Sequence, residues 1–266
     1  MNAVLQSDHQ PILLRQDAAG VATLTLNRPS QFNSLSEELL TELQAALDAI
    51  GAEAGVRAVV VAGAGKAFCA GHDLKQMRAN HSKEYMQQLF RQCGKVMTTI
   101  AEIPQPVIAR VHGIATAAGC QLVAACDLAV AADVARFAVS GINVGLFCST
   151  PAVALARNMG RKQAMEMLLT GDFIDAAEAQ RRGLINRMVP PEQLDVEIRK
   201  LTDSICAKSS LAISMGKQMF YRQLEMGLQG AYQLAAETMA CNMMAADAGE
   251  GIDAFMQKRK PEWKGR

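Results

Sequence analysis

An α/β core followed by a helical C-terminal region is the fold class that the sequence predicts. Three observations predict it. Short β-branched runs alternate with segments of helical spacing over the first 190 residues. One stretch, Pro106 to Asp127 (PVIARVHGIATAAGCQLVAACD), passes from a strand through small residues into a helix. From Pro191 onward only helical patterns remain, and alternation followed by helices alone points to an α/β core with an appendage.

The elements follow in order. Val21 to Leu26 alternates like a strand, and Asn27-Arg28-Pro29-Ser30 breaks it. Leu39, Leu40, Leu43, Leu47 and Ile50 lie at helical spacing after Ser36. Val56 to Val61 is the next strand, and Ala62 to Lys66 a loop. A polar helix is predicted from about Glu84 to Ile100, stopped by Pro104 and Pro106. The central strand is Val107 to Val111, and His112 to Thr116 is read as a crossing. Ala117-Ala118-Gly119-Cys120 opens a helix. Leu128 to Ala131 and Arg136 to Val139 are two more strands, and Gly141 to Thr150 a loop. Thr150 is the expected N-cap of a helix starting at Pro151. A helix over Ala176 to Arg182 should end at Gly183, and Leu184 to Val189 should be the last strand. No repeat of fixed period is visible.

Bulk properties narrow the function. The chain has 266 residues, half of them hydrophobic and a fifth charged, as in an ordinary globular protein. A net charge of +1 gives no bulk reason to expect nucleic acid or an anionic membrane as partner. No apolar run approaches the ~20 residues that span a bilayer. The start, MNAVLQSDHQPILL, has neither a basic region before an apolar core nor an Arg-rich amphipathic pattern, so the expected location is cytoplasmic, or the chain is already processed. Seven cysteines without CxxC or His-containing spacing read as reduced core thiols, and no metal site is expected. Fifteen methionines fit gap-filling in a core.

The stretch from Pro106 to Asp127 carries the chemistry. A strand that feeds a helix through small residues leaves free N–H groups at the helix start, and the helix dipole adds to their attraction for negative charge. Such donors suit an oxygen that gains negative charge during a reaction.

Several motifs in this order and spacing carry a family resemblance. They are Asn27-Arg28-Pro29 with Asn33-Ser34-Leu35, Phe68 through Lys75, and Gly113 through Asp127. Leu168 to Gly171, Ala176 to Ala179 with Gly183-Leu184, and the ending Phe255 to Pro261 complete the set. Together they identify the chain as a member of the crotonase, or enoyl-CoA hydratase/isomerase, superfamily over nearly its whole length. The resemblance implies a crotonase-like spiral of ββα turns over 1–190, which binds acyl-CoA. It implies a helical trimerisation region over 191–266, with trimers often stacked as hexamers. It implies no permanently bound cofactor, coenzyme A being part of the substrate. The backbone N–H groups of His72 and Ala118 would hold the thioester oxygen, His72 lying in Ala70-Gly71-His72-Asp73. Arg28, Ala70 and Lys75 would meet coenzyme A, and Phe255 and Lys258 would reach that held by a neighbouring subunit.

The chain departs from the family where the acids should be. Hydratases carry two glutamates, at positions occupied here by Gln121 and Gly141. Neither residue exchanges a proton near neutral pH. Ser149 stands where dienoyl-CoA isomerases and a related dehalogenase carry an aspartate. Asn143, Cys148 and Ser149 are the remaining candidates for substitute chemistry. Against them, Ser149 can simply cap a helix beside Thr150-Pro151, and Cys148 has no His near it in sequence to act as base. The His72 side chain is expected to pair with Asp73 or solvent. The loop and helix motifs look most like one subgroup known from animal mitochondria.

Two functions from different classes follow. One is an enzyme of the enoyl-CoA hydratase/isomerase type, a lyase or isomerase, with ordinary hydration weak or absent. The other is an acyl-CoA binding or sensing protein without turnover. RNA binding, known for one branch through a lysine-rich helix, is disfavoured because Glu37 to Ile50 contains no lysine and carries Glu37, Glu38, Glu42 and Asp48.

Overall fold

A computed structural model describes residues 10–266. In chain order, β1 (Leu13–Ala18) and β2 (Val21–Leu26) precede α1 (Glu37–Gly51). Next come β3 (Ala58–Gly63), β4 (Ala67–Cys69), α2 (Leu74–Ala79) and α3 (Lys83–Glu102). Then follow β5 (Val107–Val111), β6 (Ile114–Thr116) and α4 (Ala118–Ala125). After β7 (Leu128–Ala132) and β8 (Arg136–Ala138) come α5 (Ser149–Asn158) and α6 (Arg161–Thr170). The core closes with β9 (Ile174–Asp175), α7 (Ala176–Arg181) and β10 (Arg187–Val189). Four helices end the chain: α8 (Leu194–Cys206), α9 (Ser210–Gln223), α10 (Leu228–Met243) and α11 (Ala246–Met256).

The strands form two sheets. The larger has the order β1-β2-β3-β5-β7-β10 and the smaller the order β4-β6-β8-β9. β3, β5 and β7 lie parallel in the first, and β4, β6 and β8 lie parallel in the second. Each strand pair places one strand in each sheet and then enters a helix, so the chain climbs as a spiral of ββα turns. This repeat escapes a search for fixed period because its turns differ in length. β5 begins 49 residues after β3 (107 − 58), and β7 only 21 after β5 (128 − 107).

Parity along the strands explains the core. Val59, Val61, Val107, Ala109, Ala129 and Ala131 face α1, α3 and α4, whereas Val60, Ile108, Val130 and Ala132 face Leu194 and Ile198 of α8. Strands covered on both faces read as continuous apolar runs. The Ser36 side chain accepts from Leu39 N–H and caps α1, whose first turn carries Glu37 and Glu38. Gly183 has φ +86° just past α7, as its place after a helix predicts.

Several boundaries differ from the sequence reading. β1 pairs antiparallel with β2 and was not predicted, since LLRQDA does not alternate clearly. His112 to Thr116 is no mere crossing, because Ile114–Thr116 forms β6. The last strand is only Arg187–Val189. Helix α5 starts at Ser149 with Cys148 at its N-cap, so Thr150 does not cap it and Pro151 lies in the first turn.

One buried cluster ties the C-terminal helices to the core. The Asp127 carboxylate accepts from Val107 N–H (2.6 Å), Lys217 Nζ (2.7 Å) and Tyr221 OH (2.7 Å). Lys217 also donates to the carbonyls of Ile100 (2.7 Å) and Gln105 (2.8 Å), and its side chain is only 6 % exposed. Burial lowers the Lys217 pKa against the pull of Asp127. Removing one partner of a buried pair leaves the other charge uncompensated. Lys217→Ala should therefore lower stability by about 3 kcal/mol in a denaturant titration, and an unchanged midpoint would show that the ion pair holds nothing.

Candidate functional site

Two backbone turns meet between the sheets. The first runs from Cys69 to Asp73. Leu35 N–H donates to the Gly71 carbonyl (2.8 Å) and Asp73 N–H to the Leu35 carbonyl (3.2 Å). Pairing of that kind uses alternate residues, so the N–H of His72 between them points to the other side. The second turn is Thr116 to Gly119. Ala117 N–H donates to the Ala138 carbonyl and Gln121 N–H to the Ala117 carbonyl, both at 3.0 Å. Ala118 is the first residue of α4, where a helix leaves its N–H unpaired. Among the described residues neither the His72 nor the Ala118 N–H has an acceptor.

Glycines bring the two turns together. A Cβ added to Gly71 (φ +90°) would stand 2.8 Å from Ala117 Cβ and 3.1 Å from Ala118 N. One added to Gly119 would overlap the Cys69 carbonyl. Only residues without a side chain permit this approach. Ala117 itself sits at φ 51°, ψ −122°, a conformation that glycine adopts freely and alanine does not.

Polar side chains brace the first turn. Asn33, fully buried, donates from Nδ2 to the carbonyls of Ala64 and Ala67 (both 2.8 Å) and accepts from Arg28 N–H (2.9 Å). The Arg28 guanidinium donates to Asp73 (2.9 Å) and to the Ser34 carbonyl (2.6 Å). Asp73 also accepts from the N–H groups of Lys75 and Gln76 and so caps α2. Burial raises the Asp73 carboxyl, but Arg28 and the N–H groups outweigh it and hold it below its ordinary value. Arg28 thus has a bracing role that its resemblance to a coenzyme A contact did not reveal. Ala70 lies in the same turn, with its N–H on the Phe32 carbonyl, and Lys75 is exposed on α2.

The His72 side chain corrects an expectation. It does not pair with Asp73. The ring lies edge-on to Phe90, with centroids 5.4 Å apart, and neither ring nitrogen has a partner. Burial lowers its pKa from 6.5 to about 4. The unfolded chain therefore binds a proton on this ring between those values and the folded chain does not. Stability should fall as pH drops through that window, by roughly 3 kcal/mol in all. Denaturant titrations of wild type and His72→Gln from pH 7 to pH 4 check this, with a flatter profile expected for the variant.

The two positions expected to carry acids differ from each other. Gln121 is 4 % exposed and lines a cavity of about 870 Å³ with residues of α3, α4, α5 and α9. Its Oε1 has no hydrogen-bond partner. Gly141 lies in a 3₁₀ turn (Ser140–Val144). Its N–H donates to Cys148 Sγ (3.3 Å), and an added Cβ would stand 2.6 Å from the Leu146 carbonyl and 2.8 Å from Cys148 Sγ. Burial raises the Cys148 thiol, which works against a nucleophilic thiolate. Ser149 is exposed, and its hydroxyl donates to the Phe147 carbonyl at 3.4 Å. Asn143 lies in the same 3₁₀ turn and packs beside Gly171. Phe255 in the last turn of α11 and Lys258 just beyond it are both exposed. Gly141→Ala should lower stability by about 1–3 kcal/mol, the usual cost of overpacking, and a wild-type melting temperature would show that the loop yields.

Comparison with known proteins fits this geometry. The chain matches the enoyl-CoA hydratase/isomerase family over residues 16–266, and it belongs to that family. It is 43 % identical over 263 residues to the frog (Xenopus laevis) mitochondrial enoyl-CoA hydratase domain-containing protein 3, covering 99 % of this chain and 90 % of the relative. The human protein of that name is 43 % identical over 258 residues, covering 97 % and 85 %; this is the subgroup indicated by the loop and helix motifs. Among solved structures, an enoyl-CoA hydratase from Mycobacterium smegmatis superposes with a TM-score of 0.94 at 59 % identity, covering 96 % of this chain and 99 % of that one. The crystal structure of the human protein superposes with a TM-score of 0.93, covering 95 % and 100 %.

These relatives correct the cytoplasmic expectation, because the frog and human proteins are named as mitochondrial. That expectation rested on the first fourteen residues, and residues 1–9 lie outside those described. Among the described residues no helix is long and apolar enough to cross a membrane.

Proposed function

We propose that the chain binds an acyl-CoA thioester and seats its carbonyl oxygen between the N–H groups of His72 and Ala118. The observation that carries this reading is the pair of unpaired donors on two turns held in contact by Gly71 and Gly119. Donors fixed in a dry site stabilise developing negative charge, and each is typically worth ~10²–10³ in rate. The start of α4 adds its dipole.

The same reading makes ordinary hydration weak or absent. Water addition needs one group to activate water and one to deliver a proton, each worth roughly 10²–10⁴. Gln121 can do neither, and Gly141 has no side chain. Cys148 and Ser149 supply no replacement, since one thiol is buried with its pKa raised and one hydroxyl is turned to a backbone carbonyl. The activity class remains that of an enoyl-CoA hydratase/isomerase-type lyase or isomerase. The second reading, acyl-CoA binding without turnover, is favoured by the same vacant acid positions.

In this reading coenzyme A is part of the substrate, no separate cofactor is needed, and no nucleic acid or membrane takes part. Residues 1–190 form the acyl-CoA core. The helices within 191–266 assemble the chain into a trimer or a hexamer. Leu228, Met244 and Phe255 are 77 %, 86 % and 84 % exposed on or beside α10 and α11, which supports a covered face in an assembly. Lys75 and Arg28 lie on the coenzyme A side, with Phe255 and Lys258 contributed by a neighbouring subunit.

The deciding experiment incubates purified protein with crotonyl-CoA and other enoyl- and acyl-CoA thioesters, following binding and product together. Binding with little or no hydration is expected. A kcat for crotonyl-CoA hydration on the order of 10 s⁻¹, typical of enzymes, would overturn the reading of the vacant acids.

A further inference from the structure

A pair of hydroxyls lies against the second turn, and the proposed thioester seat makes no use of it. Thr116 Oγ1 and Ser140 Oγ are 2.8 Å apart, and both residues are half-buried. Thr116 ends β6, and Ser140 opens the 3₁₀ turn that contains Gly141. β6 and β8 run parallel with Thr116 opposite Ala138, which brings the residues just after β8 alongside the turn. The loop in which the family resemblance leads one to expect an acid therefore touches the second turn through a hydroxyl.

The pair bears on the peptide between Thr116 and Ala117. On one side the Thr116 side chain is bonded to Ser140, and on the other Ala117 N–H donates to the Ala138 carbonyl (3.0 Å). The Thr116 carbonyl lies near Gly71, where an added Cβ would stand 3.1 Å from its oxygen and 3.1 Å from Ala118 N. The next peptide carries the Ala118 N–H. Its carbonyl, on Ala117, accepts from Gln121 N–H within α4 (3.0 Å). A trans peptide is planar, so the Ala118 N–H points the opposite way, out of the helix start. Only the two dihedrals of Ala117, φ 51° and ψ −122°, join these two planes.

Those dihedrals are strained. A Cβ disfavours this region, and such a conformation persists only where the surroundings over-determine it. Turning the Ala117 φ negative relieves the strain and rotates the two peptides against each other, which carries the Ala118 N–H out of aim. Rotation of the first peptide breaks its bond to Ala138 and pulls Thr116 off Ser140. The hydroxyl pair therefore opposes the motion that Ala117 favours.

Resting on the acyl-CoA reading above, we propose that Ser140 is a positioning residue. Its hydroxyl, through Thr116, holds the strained peptide that aims the Ala118 N–H at the thioester oxygen. It touches no reacting atom in this role.

The test uses butyryl-CoA isotopically labelled at its thioester carbonyl. Calorimetry reads affinity, difference infrared spectroscopy reads the carbonyl stretch, and melting temperatures check the fold. A carbonyl seated on hydrogen-bond donors absorbs at lower frequency than the free thioester, and the wild type should show that shift. Ser140→Ala and the isosteric Thr116→Val should shrink it and weaken binding by about three- to tenfold, the scale of one hydrogen bond. Thr116→Ser keeps the hydroxyl and should restore both values toward wild type. In an Ala117→Gly background, where the backbone is unstrained, Ser140→Ala should have a smaller effect. An equal effect there overturns the route through Ala117. A full wild-type shift in both hydroxyl-deleted variants overturns the role of Ser140 and leaves the acyl-CoA reading standing. Variants that melt far below wild type would mark the pair as a bond of the fold at large, which overturns the role as well. If the wild type binds no thioester, or binds it with an unshifted carbonyl, the proposed seat fails and this inference with it.

Discussion

The site depends on one steric constraint, the contact between two turns of bare backbone. Gly119 packs against the Cys69 carbonyl and Gly71 against Ala117 and Ala118. A methyl group at either glycine would push the turns apart, and with them the N–H groups of His72 and Ala118. Several groups in the first half of the chain brace the first of these turns. Asn33 fastens the loop before it, Arg28 and Asp73 lock the turn, and the Leu35–His72 bridge fixes which way each N–H points. Ala117 accepts a conformation that costs of order 1–3 kcal/mol for a residue with a Cβ. Its bonds to the Ala138 carbonyl and from Gln121 N–H help to hold it there.

The far end of α4 is held by a different kind of interaction. Asp127, two residues after the helix, binds Lys217 and Tyr221 of α9. Helix α4 is therefore fixed at its start by close backbone packing and at its end by a buried ion pair. The cavity that contains Gln121 lies along this length, with α9 as part of its wall. One of the C-terminal helices thus forms part of the wall of this cavity within the same chain.

Much of this was legible in the sequence, for identifiable reasons. The helix of Leu39 to Ile50 carries a strong pattern because one face is buried, and the apolar runs at Val56 to Val61 and Val107 to Val111 do so because their strands are covered on both faces. The small-residue run at Ala117 to Cys120 was readable because only small residues permit the contact it makes. Other features were hidden. β4, β6 and β9 have three, three and two residues, too few to show a period. The spiral repeats in space and not in sequence, because its turns have unequal lengths. Arg28 gave no sign of bracing Asp73, 45 positions away. Phe90 gave no sign of covering His72, since that contact depends on how α3 crosses the turn. The proposed C-terminal assembly face rests on motif resemblance and not on pattern.

The two positions at which the family resemblance leads one to expect acids are not equivalent, and this limits where chemistry can arise. At Gly141 the space a side chain would need is taken by the Leu146 carbonyl and the Cys148 thiol, and that thiol accepts the glycine's own N–H. The loop has closed over the position. Gln121 lines a cavity, and its Oε1 is buried there without a hydrogen-bond partner. A reaction that needs acid or base from the Gly141 side would require the loop to be rebuilt, because no side chain can enter there without displacing backbone. In the proposed reading such a site polarises a thioester, and the proton transfers that complete a hydration are the steps it is least equipped to perform.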